Sequence, residues 1–145
     1  MTSKTDLLYK ELAYKIVGCF YEVYNLLGPA HKEQIYQKAL ALEFKSRDIP
    51  FNDRKRLKVK YKEQEIGIYE PDFVIEDKII IEIKSVLSMP TVFEKQLYYY
   101  LKDTSYKLVY LVNFGSDKLD IRRRVYDTAR LNSRQLALDP SLIRY

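Results

Sequence analysis

The chain has almost none of the residues that proteins use for covalent cross-links and thiolate metal sites. It contains 1 Cys and 1 His among 145 residues. The single Cys19 excludes an internal disulfide and a cysteine-based zinc site. The single His31 argues against a serine–histidine or cysteine–histidine catalytic pair. The 4 glycines are isolated from one another, so no glycine-rich loop is present to bind phosphate groups.

Long apolar runs are also missing. No stretch approaches the roughly 20 apolar residues that a membrane-spanning helix needs. Acids and lysines interrupt the apolar positions of residues 1–15, so we expect neither a signal peptide nor a membrane partner, and a cytoplasmic location. Hydrophobic residues still make up 47% of the chain, which is enough for a folded core. The length predicts one domain over residues 1–145.

Positive charge is concentrated in one short segment. The net charge of +5 comes from 25 Lys and Arg against 20 Asp and Glu. Residues 54–62, RKRLKVKYK, carry six bases and no acid, more than the whole excess. Such a segment is typical of proteins that bind nucleic acid, because each neutralised phosphate releases counterions. The alternative is an edge strand whose lysines prevent pairing with other chains. The candidate nucleic-acid contacts are Arg54, Lys55, Arg56, Lys58 and Lys60.

The hydrophobic spacing predicts two helices followed by strands. Apolar residues three and four apart predict helices over 5–27 and 32–47. The predicted buried side of the second helix contains Ile35, Ala39, Leu42 and either Ala41 or Leu40. Alternation predicts strands over 57–61, 66–75 and 79–84, with Pro71 awkward inside the second. A helix over 90–103, a buried strand over 107–114 and an edge strand within 116–126 follow. Strands 79–84 and 107–114 should pair in parallel through a right-handed crossover. The predicted order ααβββαβ indicates helices flanking a small mixed sheet.

Two charged residues interrupt the apolar strand 79–84. Glu82 and Lys84 are two residues apart, so both side chains leave the same face of the strand, opposite Ile83. An unpaired charge inside a protein costs several kcal/mol. The two residues must therefore neutralise each other, meet a metal ion, or reach solvent where the strand ends.

A third charged residue, Asp72, joins this pair in one of two strand registers. If only residues 76 and 77 form the turn, Asp72 faces Ile81, on the wrong side of the sheet. If residues 76–78 form the turn, Asp72 lies opposite Glu82, with Cβ atoms roughly 5 Å apart. Two carboxylates about 4 Å apart repel each other by roughly 4 kcal/mol at an effective dielectric constant near 20, and only a cation or a proton removes that energy. Hard oxygen ligands favour Mg²⁺ or Mn²⁺ over zinc.

These residues resemble a known family. Pro71-Asp72 followed by Glu82-Ile83-Lys84 resembles the signature of the PD-(D/E)XK, restriction-endonuclease-like nuclease superfamily. Segment 28–36, GPAHKEQIY, resembles the helix motif of its GxxExxY group, with Ala30 in place of the motif's glycine. Segments 94–97 (EKQL) and 110–115 (YLVNFG) resemble later blocks, and Gln96 with Tyr100 matches the QxxxY motif of RecB-type and lambda-type exonucleases. The resemblance covers residues 28–115.

The resemblance implies an α/β fold whose elements follow in the order αβββαβ around a mixed sheet. In this chain an extra N-terminal helix precedes them. It also implies a metal-dependent nuclease that hydrolyses phosphodiester bonds, in DNA rather than RNA. The metal would be Mg²⁺ or Mn²⁺, and Lys84 would position the attacking water and stabilise charge on the phosphate. Gln96 and Tyr100 would orient the site from its rim. The implied metal ligands are Asp72, Glu82, the carbonyl group of Ile83, and Glu33, directly or through a water.

Simpler interpretations stay open. Asp72, Glu82 and Lys84 would also suit a salt bridge at a sheet edge. Glu33 would suit the start of any helix, where the dipole favours an acid, and Gln96 and Tyr100 would suit amphipathic packing. At the level of function, the alternatives are a catalytically silent nucleic-acid-binding module and a subunit that acts through protein contacts, such as a homodimer.

Overall fold

The computed structural model describes residues 9–102 and 104–126. The predicted helical residues 5–8, Asp103 and the tail from Asn132 lie outside this range. The described residues form three helices, α1 (Lys10–Leu27), α2 (Glu33–Ser46) and α3 (Val92–Leu101). They also form the strands β1 (Phe51–Asn52), β2 (Leu57–Tyr61), β3 (Gln64–Tyr69), β4 (Phe73–Ile75), β5 (Ile79–Lys84), β6 (Leu108–Asn113) and β7 (Asp120–Val125).

Five of these strands build a mixed sheet in the order β1-β4-β5-β6-β7. Strands β5 and β6 are parallel, with α3 as their connection, and the other neighbours are antiparallel. The sequence prediction of a parallel central pair and an edge strand near residue 120 is therefore confirmed. The α/β fold agrees with a restriction-endonuclease-like core preceded by an extra helix, as expected.

The predicted strand 66–75 is wrong as a single element. It is divided into β3, which pairs with β2 in a separate two-stranded sheet, and β4, which belongs to the main sheet. Pro71 lies in the break. Proline has no N–H group to donate, so a sheet ladder cannot continue through it in a central position. The β2–β3 hairpin thus forms a second sheet and is not hydrogen-bonded to the five-stranded sheet.

The main sheet is buried on both faces. One face packs against α1 and α2 and contains Ile79, Ile81 and Ile83 of β5. The other face, which includes Ile80, packs against α3 and the inner side of the β2–β3 hairpin. Because side chains alternate along a strand, Glu82 and Lys84 share the α3 face with Ile80. The expected segregation of these charges from the three isoleucines is confirmed.

The buried side of α2 agrees with the prediction only in part, at Leu40 and the partly buried Ala39. Tyr36, Leu40 and Phe44 are fully buried, whereas Ile35 and Leu42 are 44% and 68% exposed. The two aromatic rings bury more apolar surface than the aliphatic chains would, so the helix turns them inward. The residues of α2 that face the core are therefore displaced by about one position from the predicted ones.

Candidate functional site

The β4–β5 turn has the three-residue form. Phe73 pairs with Ile81 and Ile75 with Ile79, which leaves residues 76–78 as the loop. The N–H of Lys78 donates to the carbonyl of Ile75 at 2.9 Å and closes the turn. The same register, continued one residue beyond β4, sets Asp72 across from Glu82.

The Asp72 and Glu82 carboxyl groups come within hydrogen-bonding reach of each other. Oδ2 of Asp72 also accepts a hydrogen bond of 2.7 Å from the backbone N–H of Ile83. This backbone contact ties Asp72, which lies outside β4, to the strand that carries Glu82. The structure thus brings together the two acids whose convergence depended on the register.

A tyrosine that the sequence reasoning missed contacts this pair. The hydroxyl of Tyr69, the last residue of β3, donates to Oε2 of Glu82 at 2.5 Å. Its ring stacks on that of Tyr100 in α3, with centroids 4.8 Å apart and planes at 18°. The only sequence signal was its position two residues before Pro71, and nothing in the sequence places its hydroxyl near Glu82.

Lys84 lies on the same face of β5, next to the aromatic ring of Phe93. Its Nζ atom is 4.5 Å from the ring centroid, a cation–π contact that holds the ammonium group against the first turn of α3. Its positive charge also acts on Glu82 and lowers the pKa of that acid. Lys84 is therefore electrostatically part of the acid pair, and Phe93 is a second contact that sequence reasoning missed.

The surroundings of Glu82 favour its protonated form. Burial is the largest influence, and the hydrogen bond and negative charge of Asp72 act in the same direction. The Tyr69 hydrogen bond and the Lys84 charge oppose them, but the pKa of Glu82 is still raised to about 9. Burial, followed by the charge of Glu82, raises the pKa of Tyr69 as well. Without a cation between the two acids, these influences favour the neutral form of Glu82.

The loop before α2 lies beside the end of β5. The hydroxyl of Ser85 donates to the carbonyl of His31, which joins the residue after Lys84 to this loop. The N–H of Ala30 donates to the carbonyl of Phe114 at 3.2 Å, just after β6. The start of α2, with Glu33, is therefore held next to the ends of the two parallel strands.

Tyr36 holds this loop in place from within α2. Its hydroxyl donates to the carbonyl of Gly28 at 2.6 Å and accepts the N–H of His31 at 3.1 Å. Its ring stacks on Phe114 with centroids 4.3 Å apart. The tyrosine of the helix motif thus has a structural role, and Nε2 of His31 donates to the carbonyl of Leu27 at 2.9 Å.

Glu33 is exposed in the first turn of α2. Among residues 9–102 and 104–126, no three His, Cys, Asp or Glu side chains form a group that could hold a metal ion. The structure therefore brings together Asp72 and Glu82 but does not add Glu33 to them as a third direct ligand. A contact through a bound water, which the sequence analysis also allowed, stays a prediction, as does the role of the Ile83 carbonyl.

Gln96 and Tyr100 lie four residues apart on α3, as predicted. Gln96 is exposed, and Tyr100 is 38% exposed and reaches Glu82 only through Tyr69. Phe93, one helical turn before Gln96, contacts Lys84. Tyr100 and Phe93 therefore connect α3 to Tyr69 and Lys84, whereas the role of Gln96 at the rim of the site stays a prediction.

The basic segment 54–62 and the arginines of β7 have different surroundings. On the β2–β3 hairpin, Arg56 pairs with Glu70 at 3.0 Å and Lys58 with Glu65 at 3.7 Å, and all four side chains are largely exposed. Such exposed pairs contribute little to stability. Arg54 and Lys60 are exposed and Lys55 is partly buried. This segment therefore keeps its basic groups at the surface.

The arginines of β7 serve packing instead. Arg122 and Arg124 both bind Glu94 of α3, at 2.6 Å and 3.1 Å, and Glu94 is only 3% exposed. Arg122 also donates to the carbonyl of Met89 at 3.0 Å. Arg122 and Arg124 thus bind the buried Glu94 and join α3 to the edge strand β7. This contact explains why segment 94–97 contains an acid.

The fold and site define an α/β protein in which two acids and a lysine converge on the α3 face of a mixed sheet. The chain belongs to the PD-(D/E)XK nuclease superfamily, whose family model matches residues 10–125. Comparison with curated proteins and with solved structures finds no significant match. No helix in the described part of the chain is long and apolar enough to cross a membrane.

Proposed function

We propose that this protein is a metal-dependent nuclease that hydrolyses phosphodiester bonds, in DNA rather than RNA. The observation that carries the proposal is the meeting of the Asp72 and Glu82 carboxyl groups beside Lys84. Membership of a nuclease superfamily supports the same activity. A sheet-edge salt bridge is a poorer account, because the charge of Lys84 lowers the pKa of Glu82 less than burial and Asp72 raise it.

The acid pair fits a small divalent cation. Its carboxyl groups are hard oxygen donors, and the charge of Asp72 raises the pKa of Glu82, so a cation between the two acids would relieve their repulsion. Asp72 and Glu82 would hold Mg²⁺ or Mn²⁺, with the Ile83 carbonyl and a water held by Glu33 as further ligands. When bound, the metal would lower the pKa of a water molecule and neutralise charge on the scissile phosphate.

The protein's own groups orient this site. The Tyr69 hydroxyl holds Oε2 of Glu82, and the Ile83 N–H holds Oδ2 of Asp72. Each carboxyl group is thereby fixed through one oxygen. Lys84, kept in place over the Phe93 ring, supplies a positive charge for the phosphate oxygens as negative charge develops on them.

The basic hairpin supports a nucleic-acid substrate. Lys58 and Lys60 are exposed on β2, and Arg54 and Arg56 extend the same charge toward the strand's start. The partial neutralisation of Arg56 and Lys58 by glutamates leaves a net positive surface over 54–62. Tyr69 connects this hairpin to Glu82, so the basic segment belongs to the same hairpin that contacts the acid pair.

Cleavage of plasmid and oligonucleotide DNA in Mg²⁺ or Mn²⁺ tests the proposal. Asp72→Ala and Lys84→Ala should each lower the rate by at least 100-fold, as removal of groups that stabilise developing charge does. Glu76→Ala and Lys78→Ala remove an exposed acid and an exposed base from the turn at the opposite end of β5, and should leave the rate unchanged. Equal activity of wild type and Asp72→Ala would contradict the assignment.

A catalytically silent nucleic-acid-binding protein is the second candidate. It is favoured by the finding that the described residues provide two converging acids but no group of three. This second candidate would be supported by salt-sensitive DNA binding together with no cleavage of single-stranded DNA, duplex DNA or RNA in either metal. Binding lost in a Lys58→Ala, Lys60→Ala double variant would then locate the contact on the hairpin.

A further inference from the structure

A two-ring stack leads from the acid pair to the protein surface. Tyr69, whose hydroxyl holds Glu82, is 9% exposed, and Tyr100, stacked on it, is 38% exposed. The rings are nearly parallel, with planes at 18°. Because the inner ring is buried, a further planar group can extend this stack only from the Tyr100 side.

A nucleic-acid base is the planar group that the surroundings fit. The stack begins at the acid pair proposed to act on phosphodiester bonds, and Lys84 places a positive charge on the same face of β5. Every base has a π-face, and stacking on an exposed aromatic side chain contributes to binding of single strands without sequence preference. A base inside a duplex has both faces covered by its neighbours, so it must leave the helix before it can stack on a tyrosine.

Resting on the proposed function, we infer that the substrate strand is unpaired where it meets the site, with one base stacked on Tyr100. The protein then selects single-stranded segments or unpaired ends over continuous duplex. The hydroxyl of Tyr100 is not required for this contact, whereas its ring is. This requirement separates stacking from a hydrogen-bonding role of the same residue.

Binding without cleavage gives the first test. Fluorescence anisotropy in EDTA would compare a labelled 12-nucleotide single strand with its blunt duplex at equal salt. The duplex has the higher charge density, so electrostatics alone would make it the tighter ligand. We expect at least fivefold tighter binding of the single strand. Equal or tighter binding of the duplex would overturn the inference.

Substitution of Tyr100 gives the second test, with the neighbouring tyrosine as control. Tyr100→Ala should weaken single-strand binding by about fivefold or more, the scale of one lost base stack. Tyr100→Phe should bind like wild type. Tyr99 is 55% exposed on the same helix and packs edge-on against Tyr98. Tyr99→Ala should therefore have little effect, and an equal loss in both alanine variants would count against stacking.

A third test leaves the protein unchanged, so a misfolded variant cannot confuse it. Wild-type binding is measured for the ordinary single strand and for a strand of equal length in which every position is abasic. The abasic strand should bind at least about fivefold more weakly, and Tyr100→Ala should discriminate less between the two strands. Equal wild-type affinity for both strands would overturn the inference.

Cleavage assays distinguish this inference from the proposed function. Cleavage of nucleic acid together with a preference for duplex would leave the nuclease proposal intact and contradict the stacking role. Tyr100-dependent single-strand binding with no cleavage in any metal would support the stacking site and contradict catalysis. Failure to bind any strand would overturn the inference, and cleavage would then decide the nuclease proposal separately.

Discussion

The side chain of Asn113 hydrogen-bonds both backbone groups of Val86. Its Oδ1 accepts the Val86 N–H at 3.0 Å, and its Nδ2 donates to the Val86 carbonyl at 2.9 Å. Oδ1 also accepts the N–H of Gly115 at 3.0 Å. Asn113 is 1% exposed, so these backbone groups have little access to water. One amide at the end of β6 therefore fixes the chain two residues beyond Lys84.

Asn113→Ala should destabilise the protein by about 2–3 kcal/mol, because it leaves buried backbone groups without partners. Urea unfolding measures the loss. Asn52→Ala is the matched control, since Asn52 is exposed and accepts only the N–H of Arg54 at 2.8 Å. The control should lose no more than about 1 kcal/mol. Comparable losses in the two variants would show that the Asn113 contacts are not important for stability.

Gly115→Ala should be poorly tolerated for a steric reason. A Cβ atom at this position would lie 2.2 Å from the Val86 nitrogen and 2.6 Å from its carbonyl oxygen, so the backbone must move. We expect a loss of about 1–3 kcal/mol in the free energy of unfolding, as in overpacked cores. Gly67→Ala is the control, because the nearest atom to its Cβ, on Val59, is 4.0 Å away. A Gly115→Ala protein as stable as Gly67→Ala would disprove the close approach.

Ala30→Gly should stabilise the protein. Ala30 has a φ of 70°, in the left-handed region that is unfavourable for residues with a Cβ atom. Glycine relieves this strain, and the net gain should be about 0.5–1 kcal/mol after its greater unfolded-state entropy is included. The opposite control is Ala39→Gly within α2, which should lose about 1 kcal/mol. Thermal unfolding of both variants measures the direction of each change in stability. A destabilised Ala30→Gly protein would refute the prediction.

Glu82→Gln should make the metal-free protein more stable at pH 8. Burial raises the pKa of Glu82 to about 9, whereas in the unfolded chain it is about 4.3. Between these values the folded protein binds a proton that the unfolded chain lacks, so wild-type stability falls as pH rises. Glutamine stays neutral in both states. In EDTA we expect a gain of at least about 1 kcal/mol at pH 8, and none near pH 4. A difference in stability between Glu82→Gln and wild type that does not change with pH would contradict this account.

Tyr69→Phe should impair catalysis more than folding. The variant keeps the ring stacked on Tyr100 but loses the hydroxyl that positions Glu82. Loss of a group that orients a metal ligand costs about 10–100-fold in activity or metal affinity. We expect the apparent Mg²⁺ requirement of cleavage to rise. Tyr106→Phe is the control, because its hydroxyl contacts Asp77, at 3.5 Å near the opposite end of β5. Equal effects of both variants would exclude a positioning role.

Local patterns were sufficient for much of the fold. Three- and four-residue spacing located α1 and α2, and the apolar run around Glu82 located the central strand β5. The prediction of one long strand over 66–75 was wrong, because Pro71 ends the hydrogen-bond ladder instead of lying inside the strand. The buried face of α2 was also misplaced, since spacing alone does not rank aromatic against aliphatic side chains.

What the amino-acid sequence determined by itself was local. Strand alternation put Glu82 and Lys84 on one face, and the loss of the N–H group at Pro71 ended a strand, because both effects involve only neighbouring residues. Tertiary structure decided the rest. The three-residue turn aligned Asp72 with Glu82, β3 brought the Tyr69 hydroxyl to the acid pair, and Glu94 engaged two arginines of β7. These contacts join residues that are distant in the chain, so strand register and burial determine them rather than any local pattern.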